Sequence, residues 1–360
     1  MRKRTIYIAT AIIVVFTAIF GTLIVIAVAS QSATKLTLST ERNGDSELAQ
    51  VLAAHAPTPA HHLTAMCVSQ EHTRVAGLGM TPSTAIDIGS ITKTFTAELL
   101  RKSQRLREDT TIQTALAPHL QHLADKAEIP QEVLEEKLNQ SPLAQRTLGD
   151  LARHTSGLPR LGATSTYKVV SSALFNTNPY AGISDTDVIV AALDSQLDNP
   201  GTEQYSNFGV ALLGQLLALD QHTTYEKLLN KEILEPLRME NTTLVAPGGS
   251  HQHSHGFEVF GREAVAWEMD GYQPAGALQS TTEDMELWAT YLLDHGTPNF
   301  TWVRETPDVV WHNGATAGTY TMLIIDAANR QGVFVASDTT GAVEDLGFTV
   351  LDHCRKDRNN

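Results

Sequence analysis

Strand-like sequence occurs at both ends of this chain, and helix-like sequence fills the middle. Apolar and polar residues alternate in LTAMCVSQ and TRVAGLG near the N-terminus and in TYTMLIIDAAN and QGVFVASDT near the C-terminus. Apolar residues recur at helical spacing over 91–103, 131–139, 147–153, 186–194, 207–219 and 224–234, and a last helix is expected over about 342–355. This order predicts an α/β (α+β) fold, in which one antiparallel sheet built from the N- and C-terminal segments is flanked by helices and carries a large, mostly helical insertion. A binding cleft is expected where the insertion joins the sheet.

The first thirty residues have the composition of a membrane-directed segment. Three basic residues in MRKRT precede an uncharged run from Ile6 to Ala29, which is long enough to cross the hydrocarbon core of a bilayer. The small residues Ala27–Val28–Ala29 also offer a cleavage site for a signal peptide. We therefore expect residues 1–30 to be a membrane anchor or a signal peptide, residues 31–46 a polar linker, and residues 47–355 the folded domain. The domain is expected outside the cytoplasm, tethered through residues 6–29, or secreted or periplasmic after cleavage.

Composition restricts the partners of the folded domain. Hydrophobic residues make up 42% of the chain, which is enough for a substantial core, and the net charge is −14. A protein with this negative charge lacks the basic surface that binding to a nucleic-acid backbone requires. We therefore expect no nucleic-acid binding. The domain is expected to act as a monomer.

The two cysteines lie near opposite ends of the folded domain. Cys67 and Cys354 allow a single pairing, and an exported compartment permits a disulfide. Two separate buried thiols would fit the sequence equally well. The sequence leaves both alternatives open.

The segment DIGSITKTFTAELL, residues 87–100, places Ser90 and Lys93 three positions apart at the start of a predicted helix. Residues at this spacing face the same side of a helix. A desolvated lysine there would accept the proton of the serine hydroxyl. A serine at this position also serves as an ordinary helix cap, so the S-x-x-K pattern is weak alone.

Two further patterns supply polar groups of the kind an acyl-transfer site requires. Tyr205 and Asn207 lie two positions apart, just before an apolar helix, where a phenol would relay a proton and an amide would orient a substrate. His312 and Gly314 lie at the start of a C-terminal strand, where the glycine would allow close approach to the backbone. The N–H of Ala315 is a candidate oxyanion donor.

These motifs, in the order S-x-x-K, Y-x-N and H-x-G, resemble the serine β-lactamase and penicillin-binding-protein superfamily. The chain is most similar to its beta-lactamase-related branch of class C β-lactamases, D-alanyl-D-alanine carboxypeptidases, D-aminopeptidases and esterases. The resemblance extends over residues 47–352 and includes LARHTSGLPRL, NPGTEQYSNFGVALLG, EILEPLRMENTT and YQPAGALQSTTEDMELW. In EILEPLRMENTT, Arg238 stands where the family pattern has glycine.

The resemblance implies a role for each residue of the first two motifs. Ser90 would be the acylated nucleophile and Lys93 its general base. Tyr205 would share the proton transfers, and Asn207 would orient Lys93 and the substrate amide. The resemblance also implies an oxyanion hole made of the backbone N–H groups of Ser90 and Ala315.

The third motif departs from the K-T-G pattern of β-lactamases because His312 stands in the place of the lysine, while Gly314 matches the glycine. A lysine there supplies a permanent cation for a substrate carboxylate, whereas histidine is largely neutral near pH 7. The resemblance implies a small-molecule or peptide substrate, namely a peptidoglycan stem peptide, a β-lactam or an ester. We expect an acyl-serine hydrolase resembling a D-Ala-peptide carboxypeptidase or a β-lactamase. The alternatives are an esterase using the same site and a penicillin-binding sensor without turnover.

This chemistry requires no cofactor, and we expect no metal. The sequence HQHSHG, residues 251–256, alternates three histidines, but no carboxylate or cysteine at ligand spacing accompanies it, so a solvated loop is expected. His154 is expected to be a structural hydrogen-bonding residue of the HTSGLP segment.

Overall fold

The computed structural model describes residues 36–70, 72–162, 168, 177–245, 256–258 and 261–357. The segment predicted as a membrane anchor or signal peptide, residues 1–30, lies outside these ranges. Within the described ranges, no helix combines the length and the apolar character needed to cross a bilayer.

An antiparallel sheet of seven strands lies at the centre of the described residues, in the order β1-β3-β2-β10-β9-β8-β7. Its strands are β1 (Arg42–Gly44), β2 (Leu63–Val68), β3 (Thr73–Leu78), β7 (Val303–Arg304), β8 (Val309–Ala315), β9 (Tyr320–Asp326) and β10 (Gln331–Ser337). The two ends of the chain meet where β2 pairs with β10, with Leu63 opposite Ser337. The predicted sheet of N- and C-terminal segments is therefore confirmed. A second, three-stranded sheet, which the sequence did not predict, consists of β4 (Ile86–Asp87), β6 (Leu278–Ser280) and β5 (Thr243–Leu244) in that order.

Helices surround the main sheet and form most of the segment inserted between β4 and β7. They are α1 (Ser46–Ala54), α2 (Thr92–Lys102), α3 (Ile112–Leu116), α4 (Leu120–Ala127), α5 (Gln131–Gln140), α6 (Leu148–Ala152), α7 (Asp185–Leu193), α8 (Asn207–Asp220), α9 (Tyr225–Leu229), α10 (Glu235–Leu237), α11 (Thr282–His295) and α12 (Glu344–Asp357). The helices predicted over 131–139, 186–194 and 207–219 agree with α5, α7 and α8 to within one residue at each end. The helix predicted over 224–234 is α9 followed by a π-helical turn at Asn230–Leu234.

Both faces of the central strands are buried because helices cover the sheet on two sides. Ile324 packs with α1 and α12 on one face, whereas Leu323 packs with Phe95 of α2 and Trp288 of α11 on the other. Successive strand residues point to opposite faces, so a strand covered on both sides becomes a continuous apolar run. Every residue of β10 is accordingly buried.

The end of the segment predicted as a linker, residues 31–46, is part of the fold. β1 pairs with β3, and the side-chain amide of Asn43 donates to the carbonyl oxygen of Met80 at 3.0 Å. Polar residues are usual on an edge strand, where one side of the strand faces solvent. Hydrophobic periodicity does not mark such a strand, so the sequence analysis did not assign residues 42–44 to the sheet. The domain boundary expected at residue 47 stays a prediction.

Cys67 on β2 and Cys354 on α12 form a disulfide, which decides between the two alternatives that the sequence left open. Their Cα atoms are 6.4 Å apart, although 287 positions separate them along the chain. The bond therefore joins the two ends of the folded domain.

Arg238 adopts the left-handed backbone conformation, with φ 56°, at the C-terminal end of α10. A residue other than glycine pays a steric cost in this conformation, which is why glycine is common immediately after helices. The left-handed conformation therefore explains why the family pattern has glycine at this position. In this chain an arginine adopts the same conformation.

Candidate active site

Ser90 lies in a short 3-10 turn, Gly89–Ile91, between β4 and α2. The helix itself begins two residues later than a start at Ser90 would require, so Ser90 belongs to the turn that leads into the helix. Two hydrogen bonds fix the chain before this turn. Thr319, directly before β9, donates from Oγ1 to the carbonyl oxygen of Asp87 at 2.7 Å, and Thr321 in β9 donates from Oγ1 to that of Ile88 at 3.0 Å. The turn places the half-buried Ser90 hydroxyl at the junction of the sheet and the helical insertion.

Lys93 is fully buried in the first turn of α2, with its Nζ 2.9 Å from Ser90 Oγ. The same amine donates to the carbonyl oxygen of Ala275 at 2.5 Å. Burial lowers the pKa of Lys93 well below its ordinary value, and the positive charge of Arg160 lowers it further. The arrangement favours the neutral amine, which is the form that accepts a proton.

Tyr205 approaches Ser90 from the segment before α8. Its hydroxyl donates to Ser90 Oγ at 2.8 Å, and its ring centroid lies 4.9 Å from Lys93 Nζ. Burial raises the pKa of Tyr205, so the phenol keeps its proton. Ser206 caps α8 by accepting from the N–H of Gly209 at 2.9 Å, which holds Tyr205 just outside the helix.

Asn207 is buried at the first position of α8, and its side-chain amide donates to the hydroxyl of Tyr180 at 3.2 Å. Its Oδ1 is buried and has no hydrogen-bond partner among the described residues. An unpaired buried acceptor is costly, so this oxygen is available to a donor on a substrate or on Lys93. The predicted orienting role of Asn207 stays a prediction.

His312 lies inside β8, three residues after its first residue. Its side chain is on the side of the main sheet where Lys93 lies. The neighbouring residues point to the opposite side of the sheet: Asn313 Nδ2 donates to Glu344 at 2.6 Å, and Trp311 packs edge-on against Phe348, both on α12. His312 Nδ1 donates to the carbonyl oxygen of Asn313 at 2.6 Å, so its Nε2 presents a lone pair. Burial, followed by the charge of Lys93, lowers the pKa of His312 to about 4. The ring is therefore neutral near pH 7.

Two glycines allow β8 to approach the turn that carries Ser90. A Cβ atom on Gly314 would lie 1.9 Å from the carbonyl oxygen of Ile88, and one on Gly89 would lie 2.7 Å from the backbone nitrogen of Ala315. Both distances are too short for any side chain. Gly89 also has φ +51°, which favours glycine. The backbone around Ser90 and Ala315, the predicted oxyanion donors, is thus brought together.

His154, in the HTSGLP segment, contacts the site through Tyr205 and Ser206. Its Nδ1 accepts from the backbone N–H of Ser206 at 3.2 Å, and its ring lies 4.6 Å from that of Tyr205. Burial and then the charges of Lys93 and His312 lower the pKa of His154 to about 3. The hydrogen bond to Ser206 agrees with the structural role that the sequence predicted.

Arg160 is a residue of this site that the sequence analysis missed. It is exposed, its guanidinium carbon lies 5.1 Å from the ring centroid of Tyr205, and its charge contributes to lowering the pKa of Lys93. The available signal was its position directly after the HTSGLP segment, whose first residue is His154. Arg160 supplies positive charge beside a site in which His312 supplies none.

Away from this site, the structure brings together His61, His62 and Asp338, each offering one potential metal-ligand atom within 4.8 Å of the others. None of them was a predicted ligand. The histidines of HQHSHG, residues 251, 253 and 255, lie outside the described residues.

Comparisons with known proteins agree with this geometry. The family model described as Beta-lactamase matches residues 64–306. Beta-lactamase-like protein 2 of Dictyostelium discoideum is 28% identical over 242 residues, which are 64% of this chain and 38% of that protein's length. The chain thus spans less than half of this curated relative.

Solved structures show the same fold over most of the chain. The beta-lactamase/D-alanine carboxypeptidase of Pseudomonas syringae superposes with a TM-score of 0.64 at 15% identity, covering 85% of this chain and 98% of that one. The D-amino acid amidase of Ochrobactrum anthropi superposes with a TM-score of 0.65 at 16% identity, covering 87% and 98%. The mixed α/β fold with an antiparallel sheet is the fold of these enzymes.

Proposed function

The chain belongs to the beta-lactamase family, and on that premise we propose that it is an exported serine hydrolase that cleaves an amide, lactam or ester through an acyl-serine intermediate. The fold is that of β-lactamase-family hydrolases, whereas the reaction and the roles of the individual residues are our proposal.

One observation carries this proposal: Ser90 Oγ lies within hydrogen-bond distance of both the Lys93 amine and the Tyr205 phenol. The shifted pKa values of the two partners are complementary, because Lys93 favours its unprotonated form and Tyr205 its protonated form. The phenol donates to Ser90 Oγ while the serine O–H points to the lone pair of Lys93. A nucleophile held between a base and a donor is the arrangement that acyl transfer requires.

In the proposed reaction, Ser90 Oγ attacks the substrate carbonyl carbon and its proton passes to Lys93 Nζ. The tetrahedral intermediate collapses when the bond to the leaving nitrogen or oxygen breaks, and that atom takes the proton from Lys93 directly or through Tyr205. Water then attacks the carbonyl carbon of the acyl-serine ester while Lys93, neutral again, accepts one of its protons directly or through Tyr205. The bond between this carbon and Ser90 Oγ breaks, Oγ takes that proton back, and the acid is released. The first proton transfer uses the existing contact between Ser90 Oγ and Lys93 Nζ, and Tyr205 contacts the same oxygen.

The backbone N–H groups of Ser90 and Ala315 are proposed to stabilise the oxyanion of this intermediate. Support comes from the close approach at Gly89 and Gly314, because any side chain at either glycine would separate the two segments. Preorganised donors of this kind contribute about 2.7–4 kcal/mol each to transition-state stabilisation.

The neutral state of His312 favours an esterase as the second candidate function. A carboxylate-bearing β-lactam or peptide gains no ion pair from a histidine whose pKa is lowered to about 4, whereas an ester without a carboxylate loses nothing there. The guanidinium of Arg160, beside Tyr205, would instead form the ion pair with a substrate carboxylate. Peptide and lactam substrates therefore remain candidates.

Export is proposed from the basic and apolar N-terminal sequence, with a tether through residues 6–29 or cleavage after them. The disulfide between Cys67 and Cys354 supports it, because disulfides persist in oxidising compartments. Fractionation of cells that express the full chain, followed by N-terminal sequencing, tests this part. A cytoplasmic protein with an intact N-terminus would contradict it.

The test of the proposed chemistry is labelling by a fluorophosphonate probe, with the labelled residue mapped by mass spectrometry. We expect the label on Ser90 and none on Ser90→Ala, while Ser83→Ala, which removes an exposed serine outside the site, keeps it. Label on another residue would refute the assignment of the nucleophile.

Turnover of nitrocefin, a D-Ala–D-Ala peptide and p-nitrophenyl acetate then identifies the substrate class. Each rate is compared with that of Ser90→Ala, and equal rates would refute the mechanism. Intact-mass spectrometry after exposure to penicillin separates an enzyme from a sensor, since a long-lived adduct without product release indicates the sensor.

A further inference from the structure

Two histidines and one aspartate converge at one end of the neighbouring central strands β2 and β10. His61 Nδ1 lies 3.0 Å from Asp338 Oδ2, and His62 Nδ1 lies 2.9 Å from the same oxygen. The adjacent histidines precede β2, and Asp338, which lies 276 positions after His62, follows β10. Two imidazole nitrogens and a carboxylate oxygen thus face a common point.

The surrounding structure holds this arrangement in place. The backbone N–H of His62 donates to Asp338 Oδ1 at 2.7 Å, which turns the other carboxylate oxygen towards the two rings. The edge of Phe257 packs on His61, with ring centroids 4.9 Å apart. A carboxylate already oriented by a backbone donor resembles the supported ligands of protein metal sites.

Accessibility also suits an ion that enters from solvent. The Asp338 side chain is 6% exposed, whereas His61 and His62 are 25% and 32% exposed. The carboxylate thus lies beneath two imidazoles that solvent reaches. An ion held by these three ligands would keep an open position for water.

We propose that His61, His62 and Asp338 form a binding site for a divalent transition-metal ion, and that Zn²⁺ is the ion that the ligands fit best. Zn²⁺ accepts histidine nitrogen and carboxylate oxygen at about 2.0–2.2 Å and commonly takes three protein ligands and a water. Mg²⁺, which prefers oxygen ligands and octahedral geometry, fits poorly. The ion would bind in place of the hydrogen bonds between the imidazoles and Asp338.

The position of the site gives it a structural consequence. The backbone N–H of Phe257 lies 2.8 Å from the carbonyl oxygen of Asp338 and 3.2 Å from that of Gly318, in the turn that follows Ala315. A bound ion would join the start of β2 to the end of β10 beside this turn. Its binding would stabilise the folded chain by an amount that grows with the logarithm of the free ion concentration above Kd, while Ser90 and Lys93 remain outside its ligand set.

Calorimetric titration of the full-length, EDTA-stripped protein with ZnCl₂ tests the proposal, with MgCl₂ as the reference ion and Co²⁺ absorption to identify nitrogen ligands. The background variant carries His251→Gln, His253→Gln and His255→Gln, so that the sequence HQHSHG does not contribute. We expect one Zn²⁺ per chain in this background. His62→Gln and Asp338→Asn are each expected to lower the affinity at least about tenfold, since even the loss of a residue that only orients a ligand costs about 10–100-fold.

The matched control is His72→Gln, which removes an exposed histidine on the β2–β3 turn and is expected to leave the affinity unchanged. If Asp338→Asn does not fold, the zinc affinity of His61→Gln tests the proposal instead. This variant is expected to fold because the His61 side chain is 25% exposed. The proposal is overturned if zinc affinity is unchanged in His61→Gln or His62→Gln, or if zinc binds no more tightly than Mg²⁺. Asp338 would then be only a hydrogen-bond partner of the two histidines. Fluorophosphonate labelling of Ser90 in the stripped protein is expected to be unchanged, so failure of this site and failure of the proposed function are distinguishable.

Discussion

The side-chain amine of Lys93 lies 2.9 Å from the hydroxyl oxygen of Ser90 and is fully buried. Because burial lowers the pKa of Lys93, we expect the rate of Ser90 acylation to rise as pH rises through this lowered pKa and to reach its plateau well below pH 10.5. The measurement is the pH dependence of fluorophosphonate labelling. A rate that rises only near the ordinary lysine pKa would contradict a buried neutral base.

Replacement of the base tests the same relationship independently. Lys93→Met keeps the length and apolar part of the side chain but removes the amine, and we expect it to slow acylation about 10²–10⁴-fold. Lys102→Met, which changes a lysine at the end of the same helix, is expected to leave the rate unchanged. Similar losses in the two variants would indicate damage to the helix rather than loss of a base.

Tyr205→Phe removes the hydroxyl that donates to Ser90 Oγ at 2.8 Å. Because burial raises the pKa of this phenol, it acts as a donor near neutral pH, and its loss is expected to lower kcat about 10²-fold. The matched control is Tyr291→Phe, which loses a hydrogen bond to Glu98 on α2. Steady-state kinetics with the best substrate of the panel would show little change in the control and a large fall in Tyr205→Phe.

Arg160→Gln removes the exposed cation beside Tyr205. We expect kcat/KM for a carboxylate-bearing peptide to fall about tenfold, because a charged hydrogen bond contributes about 1.5–3 kcal/mol, while kcat/KM for a neutral ester changes less than about twofold. Arg107→Gln, at an exposed arginine outside the site, is the control. An equal fall in kcat/KM for the two substrates would show that Arg160 does not bind the substrate carboxylate.

His154 and His312 are buried and neutral, and their lowered pKa values make the protein sensitive to acid. In the unfolded chain both histidines bind protons below about pH 6.5, whereas in the folded chain the pKa values are about 3 and about 4. Their contribution to stability is therefore complete above pH 6.5 and is lost as pH falls from there towards about 4 for His312 and about 3 for His154, by at most about 1.4 kcal/mol per pH unit for each histidine. Tm measured between pH 7 and pH 4.5 should fall less steeply in His312→Gln than in the wild type. An unchanged slope would contradict this account of His312.

Removal of the disulfide by Cys67→Ala together with Cys354→Ala is expected to lower the free energy of unfolding by about 2–5 kcal/mol. The loop that it closes is long, with 287 positions between the two cysteines, so the unfolded chain gains much conformational freedom. Urea unfolding, with Ser83→Ala as the control, measures the change. Equal midpoints would show that the bond adds nothing to stability.

The sequence predicted the architecture and the residues that meet around Ser90 for identifiable reasons. The central residues of β9 and β10, Met322–Ile325 and Val333–Ala336, are apolar and buried, and the motifs around Ser90, Tyr205 and His312 are local in sequence. The disulfide and the cluster of His61, His62 and Asp338 depend on strand pairing across most of the chain. A single sequence does not supply that pairing.

Other features were missed because their sequence signal is small. β4, β5 and β6 have only two or three residues each, too few to show a period. α11 is capped by Thr281, whose side chain accepts from the N–H of Asp284, and this start signal is present in the sequence. The position of Arg160 directly after the HTSGLP segment was its only sequence signal, and its effect on the site depends on its distance from Tyr205.

The bond between Cys67 and Cys354 also determines how the folded domain responds to a protease. Every peptide bond between those two residues, including the whole helical insertion, lies within one covalently closed loop. A single cut anywhere in that loop therefore opens the loop without releasing a fragment. The cut protein would migrate as one full-mass species on a non-reducing gel and separate into two pieces only after the thiols are freed.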